Sequence, residues 1–242
     1  MRPLRPYARA TPYVFLTPAL LVLALFFGVS LAQVVYFSMT RYTAFTGPDW
    51  VGLNNYARLL ASERFWRCLA NSFLYLLVTP ALIVLSLQAA MVVHSGIRGG
   101  RTLRVLLFLP VVTPTIVAAV AWRLILNEDS GLLNAGLRSL GLPRAPWLSE
   151  FPWTLSSAML VTLWKGFGFY MMVFLAGLLA VPRELEEAAA IDGAGRWASF
   201  RHVTLPALAP VMTMVLIISS ISALKVFDEL FVTIKGAPVQ HQ

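Results

Sequence analysis

The sequence predicts an all-α membrane protein, a bundle of five transmembrane helices with a helix-turn-helix loop between the fourth and fifth. Three observations lead there. Of the 242 residues, 58% are hydrophobic and 12% charged, whereas soluble domains carry about a quarter charged residues. Five runs with at most one charge are long enough to cross a hydrocarbon core that needs about 20 residues, and in lipid such runs satisfy their backbone amides as helices. The connection at residues 182–206 is punctuated as two short amphipathic helices. The chain reads as a single transmembrane domain, 1–242, with spans at about 13–37, 68–94, 104–124, 153–181 and 206–226.

The first span follows Arg2, Arg5 and Arg9, as the core of a signal peptide would. It is too long for that, and Ala32-Gln33-Val34 makes a poor cleavage site, so it is read as retained. Cys68, the single cysteine, opens the second span as a small apolar residue and excludes an internal disulfide framework. In the third span Pro110 and Pro114 bracket Val111-Val112-Thr113. Proline frees a carbonyl and kinks a helix, and ordinary kinking is favoured here over the wall of a pathway. The fourth span contains Lys165, a costly group at membrane depth that makes it a candidate pathway residue. Beside it Gly166 and Gly168 allow close helix approach, and Tyr170 is a candidate for stacking on a solute. Ser219, Ser220 and Ser222 make the fifth span locally polar, either as pathway contacts or by bonding to their own helix carbonyls.

Charge sets the orientation. With a cytoplasmic N-terminus, residues 1–12, 95–104 and 182–204 hold nine Lys or Arg in 45 positions, and residues 38–67, 123–152 and 225–242 hold nine in 78. The positive-inside rule therefore favours that orientation, most clearly through Arg98, Arg101 and Arg104. The net charge of +8 is explained by these loops and does not point to nucleic acid. Trp147 and Trp153 read as aromatic anchors at the outer interface before the fourth span, and Asp228 and Glu229 as solvated residues beyond the fifth. His94 and His202 lack partners at ligand spacing, so no metal site is expected.

The loop at 182–206 opens with Pro182 at a helix N1 position and three glutamates near the positive end of the helix dipole. Asp192-Gly193 ends that helix. Trp197, Phe200 and Val203 then form one apolar stripe of a second helix, closed by Leu205-Pro206. Physical chemistry alone leaves two readings open, a docking surface or a helix lying in the membrane interface.

Glu187-Ala188-Ala189, Gly193 four residues on, and Val203-Thr204-Leu205-Pro206 after nine more resemble the signature of inner-membrane permeases of binding-protein-dependent ABC importers. Val203 departs conservatively from the usual isoleucine. Asp192-Gly193-Ala194, Trp197 and Phe200 resemble the carbohydrate-uptake branch, for sugars or glycerol phosphate. So do Val51-Gly52-Leu53-Asn54-Asn55-Tyr56, Leu107-Phe108-Leu109-Pro110, Gly131-Leu132-Leu133-Asn134 and Trp164-Lys165-Gly166-Phe167-Gly168.

The resemblance implies an ATP-driven importer subunit in a bacterial inner membrane, for a sugar or oligosaccharide, with the loop as a mechanical link to an ATPase. Coupling residues are then Glu187, Ala188, Ala189, Asp192, Gly193, Ala194, Trp197, Phe200, Leu205 and Pro206. The implied partners are the lipid bilayer, a second homologous permease, a cytoplasmic ATPase dimer and an extracytoplasmic solute-binding protein. The chain has no phosphate-cradling G-x-x-x-x-G-K-[ST] loop, so no catalytic residue or cofactor is expected in it, and ATP and magnesium belong to partner subunits. The family usually has a sixth span after a Gly-Gly-Pro-like turn. Gly236-Ala237-Pro238 stands near the end of this chain, so the sixth span is expected after residue 242. A truncated permease that assembles without transporting is therefore an alternative, and a membrane-embedded enzyme is an alternative of another class.

Overall fold

The computed structural model describes residues 11–42 and 47–225. Arg2, Arg5, Arg9, Asp228, Glu229 and Gly236-Ala237-Pro238 lie outside the described residues. The chain divides into two compact units, Met1–Leu69 and Ala70–Gln242.

In the first unit, α1 (Thr11–Leu23) runs through a π-helical turn, Ala24–Gly28, into α2 (Val29–Ser38). The side chains of this rod are almost all exposed, Phe15, Phe26, Leu31 and Val34 among them, as lipid-facing residues of a transmembrane helix are. Its end is tied down by polar contacts. Two short strands, β1 (Thr40–Arg41) and β2 (Asp49–Trp50), pair antiparallel, and Gly52 turns the chain at φ +56° into α3 (Asn54–Ala61). The Asn55 amide donates to the carbonyls of Ser38 and Thr40, each at 2.9 Å, and the Tyr56 hydroxyl donates to Ser38 Oγ at 2.7 Å. One amide thus satisfies the last carbonyl of α2 and one of β1.

α4 (Glu63–Tyr75) leads into α5 (Val78–His94). The second unit is organised around α5 and α9 (Trp153–Ala180), which pack along each other and are flanked by α6 (Gly100–Val112) and α13 (Ala209–Leu224). Their shared core includes Val78, Leu82, Ala90, Met171, Phe174 and Val215. Side-chain hydrogen bonds run through it, although the buried Thr79 hydroxyl makes none. Tyr75 Oη meets Thr162 Oγ1 at 2.5 Å, and Ser86 Oγ donates to the Phe167 carbonyl at 3.1 Å. Gly168 lets α9 touch the backbone of α6, since a Cβ there would lie 2.1 Å from the Leu107 carbonyl oxygen.

Three helical segments among the described residues are long and apolar enough to cross a membrane: Tyr13–Ser38, Glu63–His94 and Trp153–Ala180. Two bent pairs bring the number to five if each pair is one span. The third expected span, 104–124, is more than kinked. α6 stops at Val112, Thr113 and Pro114 are extended, and α7 (Thr115–Ile125) departs at 98°. Pro114 has no N–H to continue the ladder, and the break is resatisfied locally: Thr113 N donates to Pro110 O and Thr113 Oγ1 to Leu109 O, both at 3.2 Å.

Beyond α7 the chain forms a small hairpin around α8 (Leu132–Ser139). Gly131 is required there, because a Cβ would sit 2.2 Å from the Asn127 carbonyl oxygen. Asn134 is fully buried. Its amide donates to Glu128 O and Ala145 O, and its Oδ1 accepts from Ala145 N and Trp147 Nε1, all within 2.9–3.0 Å. Trp147 in turn packs edge-on against Trp153, with ring centroids 5.0 Å apart. The two tryptophans are thus fixed through a buried asparagine.

Candidate functional site

Two places in the second unit carry the sequence-predicted residues. The first is a cavity of about 570 Å³ bounded by α5, the α6–α7 corner, α9 and α13. It gathers Lys165, Tyr170, Ser219 and Ser222. Ser220 does not line it. Lys165 projects from the middle of α9, and its Nζ donates to Oγ1 of Thr115, the first residue of α7. Tyr170 is 5% exposed. Its ring lies over Gly166, where a Cβ would be 3.4 Å from it, and its hydroxyl interacts with the Ser222 side chain. Ser219 Oγ donates to the Val215 carbonyl at 2.7 Å, so this hydroxyl is committed to its own helix.

The cavity also takes in Thr115, Thr162 and Lys225, which sequence reasoning missed. Each sits where a break or a distant helix brings it in: Thr115 just past Pro114, Thr162 one turn before Lys165, Lys225 at the end of α13. The result is a pocket walled by Leu82, Val111 and Phe169 and dotted with hydroxyls and two ammonium groups. Chemically, such a lining can offer a polar solute hydrogen bonds on an apolar frame.

The second place is the loop. α10 (Arg183–Ile191) begins one residue later than expected, with Pro182 extended at the N-cap position (φ −61°, ψ 131°) and its carbonyl accepting from Leu185 N. Proline fits there because its fixed φ also suits the residue preceding a helix. Glu184 and Glu186 occupy the first turn, where the helix dipole favours them. The helix ends in a Schellman motif: Gly193 has φ +80°, Gly193 N donates to Ala190 O, and Ala194 N donates to Ala189 O at 2.9 Å. α11 (Arg196–Ser199) follows, then a π-helical turn, Phe200–Thr204, and α12 (Leu205–Ala207).

The expected stripe is graded in its burial. Trp197 is 70% exposed, whereas Phe200 is half-buried and packs on the core, with the two rings 5.6 Å apart. Phe200 and Val203 are both partly buried, and the Trp197 ring lies against Phe200 while itself staying mostly in the open. Leu205-Pro206 does not close the loop. Helix continues to Ala207 and the 65° bend comes at Leu208, where Pro210 lacks the N–H that would extend the ladder back to Pro206. Ile191, at the tip of α10, is 87% exposed. On the other side of the loop, His94 from α5 and Glu186 from α10 line two smaller cavities of about 380 and 330 Å³.

Residues 82–237, which contain the lining of the cavity and the entire loop, match the family described as binding-protein-dependent transport system inner membrane component. The chain belongs to that family and is a multi-pass permease subunit of an ABC importer, a transport protein and not an enzyme. It is 33% identical over 228 residues to the trehalose/maltose transport system permease protein MalF of Thermococcus litoralis, covering 93% of this chain and 77% of the relative. It is 34% identical over 232 residues to the arabinooligosaccharides transport system permease protein AraP of Bacillus subtilis, covering 93% and 72%. Among solved structures, it is similar in fold to a chain of a bacterial ABC transporter involved in the import of alginate. There the TM-score is 0.74 at 22% identity, over 93% of this chain and 77% of that one. A second alginate transporter structure, in complex with its pentasaccharide-bound periplasmic protein, gives 0.72 at 25% identity over 93% and 76%.

Proposed function

We propose that this subunit forms half of the translocation pathway of an importer for a sugar or oligosaccharide, and that its 182–206 loop couples the pathway to a cytoplasmic ATPase. The names of the trehalose/maltose and arabinooligosaccharide relatives support the solute class, and the hydroxyl-lined cavity suits it. A second permease completes the pathway, an extracytoplasmic binding protein delivers the solute, and ATP and magnesium are handled by the ATPase pair. The N-terminus and the loop face the cytoplasm. Closure of the ATPase pair on ATP draws the loops together and turns the permease pair outward, and hydrolysis resets it. Glu187 to Pro206, with Lys165, Tyr170 and Ser222 above, is the path of that transmission.

The observation that carries the reading is the exposure of Ile191 and Trp197, 87% and 70%, on a loop whose backbone is pinned by the Schellman turn. Rigid apolar anchors held out of a protein are what a docking partner buries, and a few such side chains dominate binding energy. Replacing Ile191 by Asp and Trp197 by Ala together is expected to lower co-purification of the ATPase with the membrane complex by about tenfold or more, and solute uptake with it. Unchanged association would sink the coupling role.

A further inference from the structure

We infer that Lys165 is a latch: its ammonium, bonded to the Thr115 hydroxyl, holds α7 against α9 and keeps the cavity wall closed between α6–α7 and α9. This rests on the importer reading and concerns how the same cavity opens. Three features of the structure converge on it. First, α6 and α7 are two bodies. α6 packs along α9 and is fixed by the backbone contact at Gly168, whereas α7 leaves at 98° through the extended pair Thr113-Pro114 and packs on α8. Two extended residues, preceded by Leu109 and Pro110 carbonyls that Thr113 satisfies, form a hinge between α6 and α7.

Second, the contact between Lys165 and Thr115 is made at the hinge itself, since Thr115 is the first residue after Pro114. A second tie lies two turns further on, where Trp122 meets Trp164 edge-on with centroids 5.7 Å apart. That aromatic contact is a sliding surface; the hydrogen bond has a definite open and closed state. Third, the geometry sets the latch to be releasable. An ammonium at the start of a helix opposes the positive end of its dipole, and the acceptor it meets on Thr115 is neutral. Val111, Thr115 and Lys165 all face the cavity, so a polar solute entering there reaches both halves of the latch.

Lys165 is thus a positioning residue for α7. The test is made on the assembled importer in native membranes, in a Cys68→Ser background with Ser222→Cys as a reporter, read by its reaction rate with a membrane-impermeant methanethiosulfonate. Thr115→Val and Lys165→Met are each expected to raise the rate about tenfold, the loss of one hydrogen bond to a charged group. The double variant is expected to go no further than the faster single variant, because both remove the same bond. Thr115→Ser and Lys165→Arg keep a donor and an acceptor and are expected to stay near the parent rate, which separates loss of the latch from loss of fold. Unchanged rates in either single variant, or effects that multiply in the double variant, overturn the latch. The importer reading fails by a different result, absence of an associated ATPase, which the labelling rate does not measure.

Discussion

Gly168→Val is expected to leave no correctly assembled second unit in the membrane, and Gly168→Ala to lower stability by about 3 kcal/mol or more. A Cβ at this position would lie 2.1 Å from the Leu107 carbonyl oxygen and 3.0 Å from Leu107 C and Phe108 Cα. These are backbone atoms of α6, so no rotamer change relieves the clash, and α6 would have to leave α9. Adding one methylene to a well-packed core costs about 1–3 kcal/mol when side chains adjust; here the neighbour is rigid. Gly166, two residues away, is the control. A Cβ there meets Tyr170 and Leu82 side chains at 3.4–3.7 Å, ordinary van der Waals distances, so Gly166→Ala is expected to fold. Thermal unfolding of the two detergent-solubilised variants followed by tryptophan fluorescence checks this. Equal midpoints for Gly166→Ala and Gly168→Ala would contradict it.

Gly193→Val is expected to reduce ATPase association and solute uptake by more than about tenfold while leaving the helical core intact. The reasoning differs from that for Gly168. No atom lies within 4 Å of a Cβ built on Gly193, but its φ is +80°, a conformation a β-branched residue avoids at a cost of about 1–3 kcal/mol. The cheapest relief is to lose the Schellman turn, which would swing α11 and Trp197 away from their place relative to α10. Gly193→Asn, which tolerates the left-handed region, is expected to keep most of the association. Pull-down of the ATPase with each variant, beside their unfolding midpoints, is the check; a valine variant that binds as well as the parent refutes the coupling geometry.

What the sequence made legible follows from where the signals were local. Gly193 after Asp192 marks a helix end by its own backbone freedom, so the turn within the loop was readable residue by residue. Lys165 was readable for a similar reason, as a lone charge in an apolar run. The cavity it faces was only half readable. Thr115 and Thr162 are unremarkable hydroxyls until a 98° bend and the α9 face bring them to Lys165, and no periodicity encodes a bend angle. Pro110 and Pro114 announced a disturbance without its size. That Trp197 stays exposed while Phe200 reaches the core was hidden because the hydrophobic pattern does not record which apolar side chain the core meets. Asn134 was visible only as part of a family motif; its four hydrogen bonds close on partners as far as 13 residues away, beyond the reach of capping or turn rules.

The pairing of α5 with α9 sets a schedule for biogenesis. The Ser86 hydroxyl finds its acceptor, the Phe167 carbonyl, 81 residues downstream. At a synthesis rate of about 5–20 residues per second, α5 waits roughly 4–16 s between its own emergence and that of its partner, with α6 and α7 delivered in between. During that interval the Ser86 hydroxyl bonds elsewhere, to its own helix, lipid headgroups, water or an insertion factor. A nascent chain arrested after α7 should therefore crosslink from Ser86 to its surroundings, and one arrested after α10 should not; identical crosslinking at both lengths would mean that α5 docks elsewhere first.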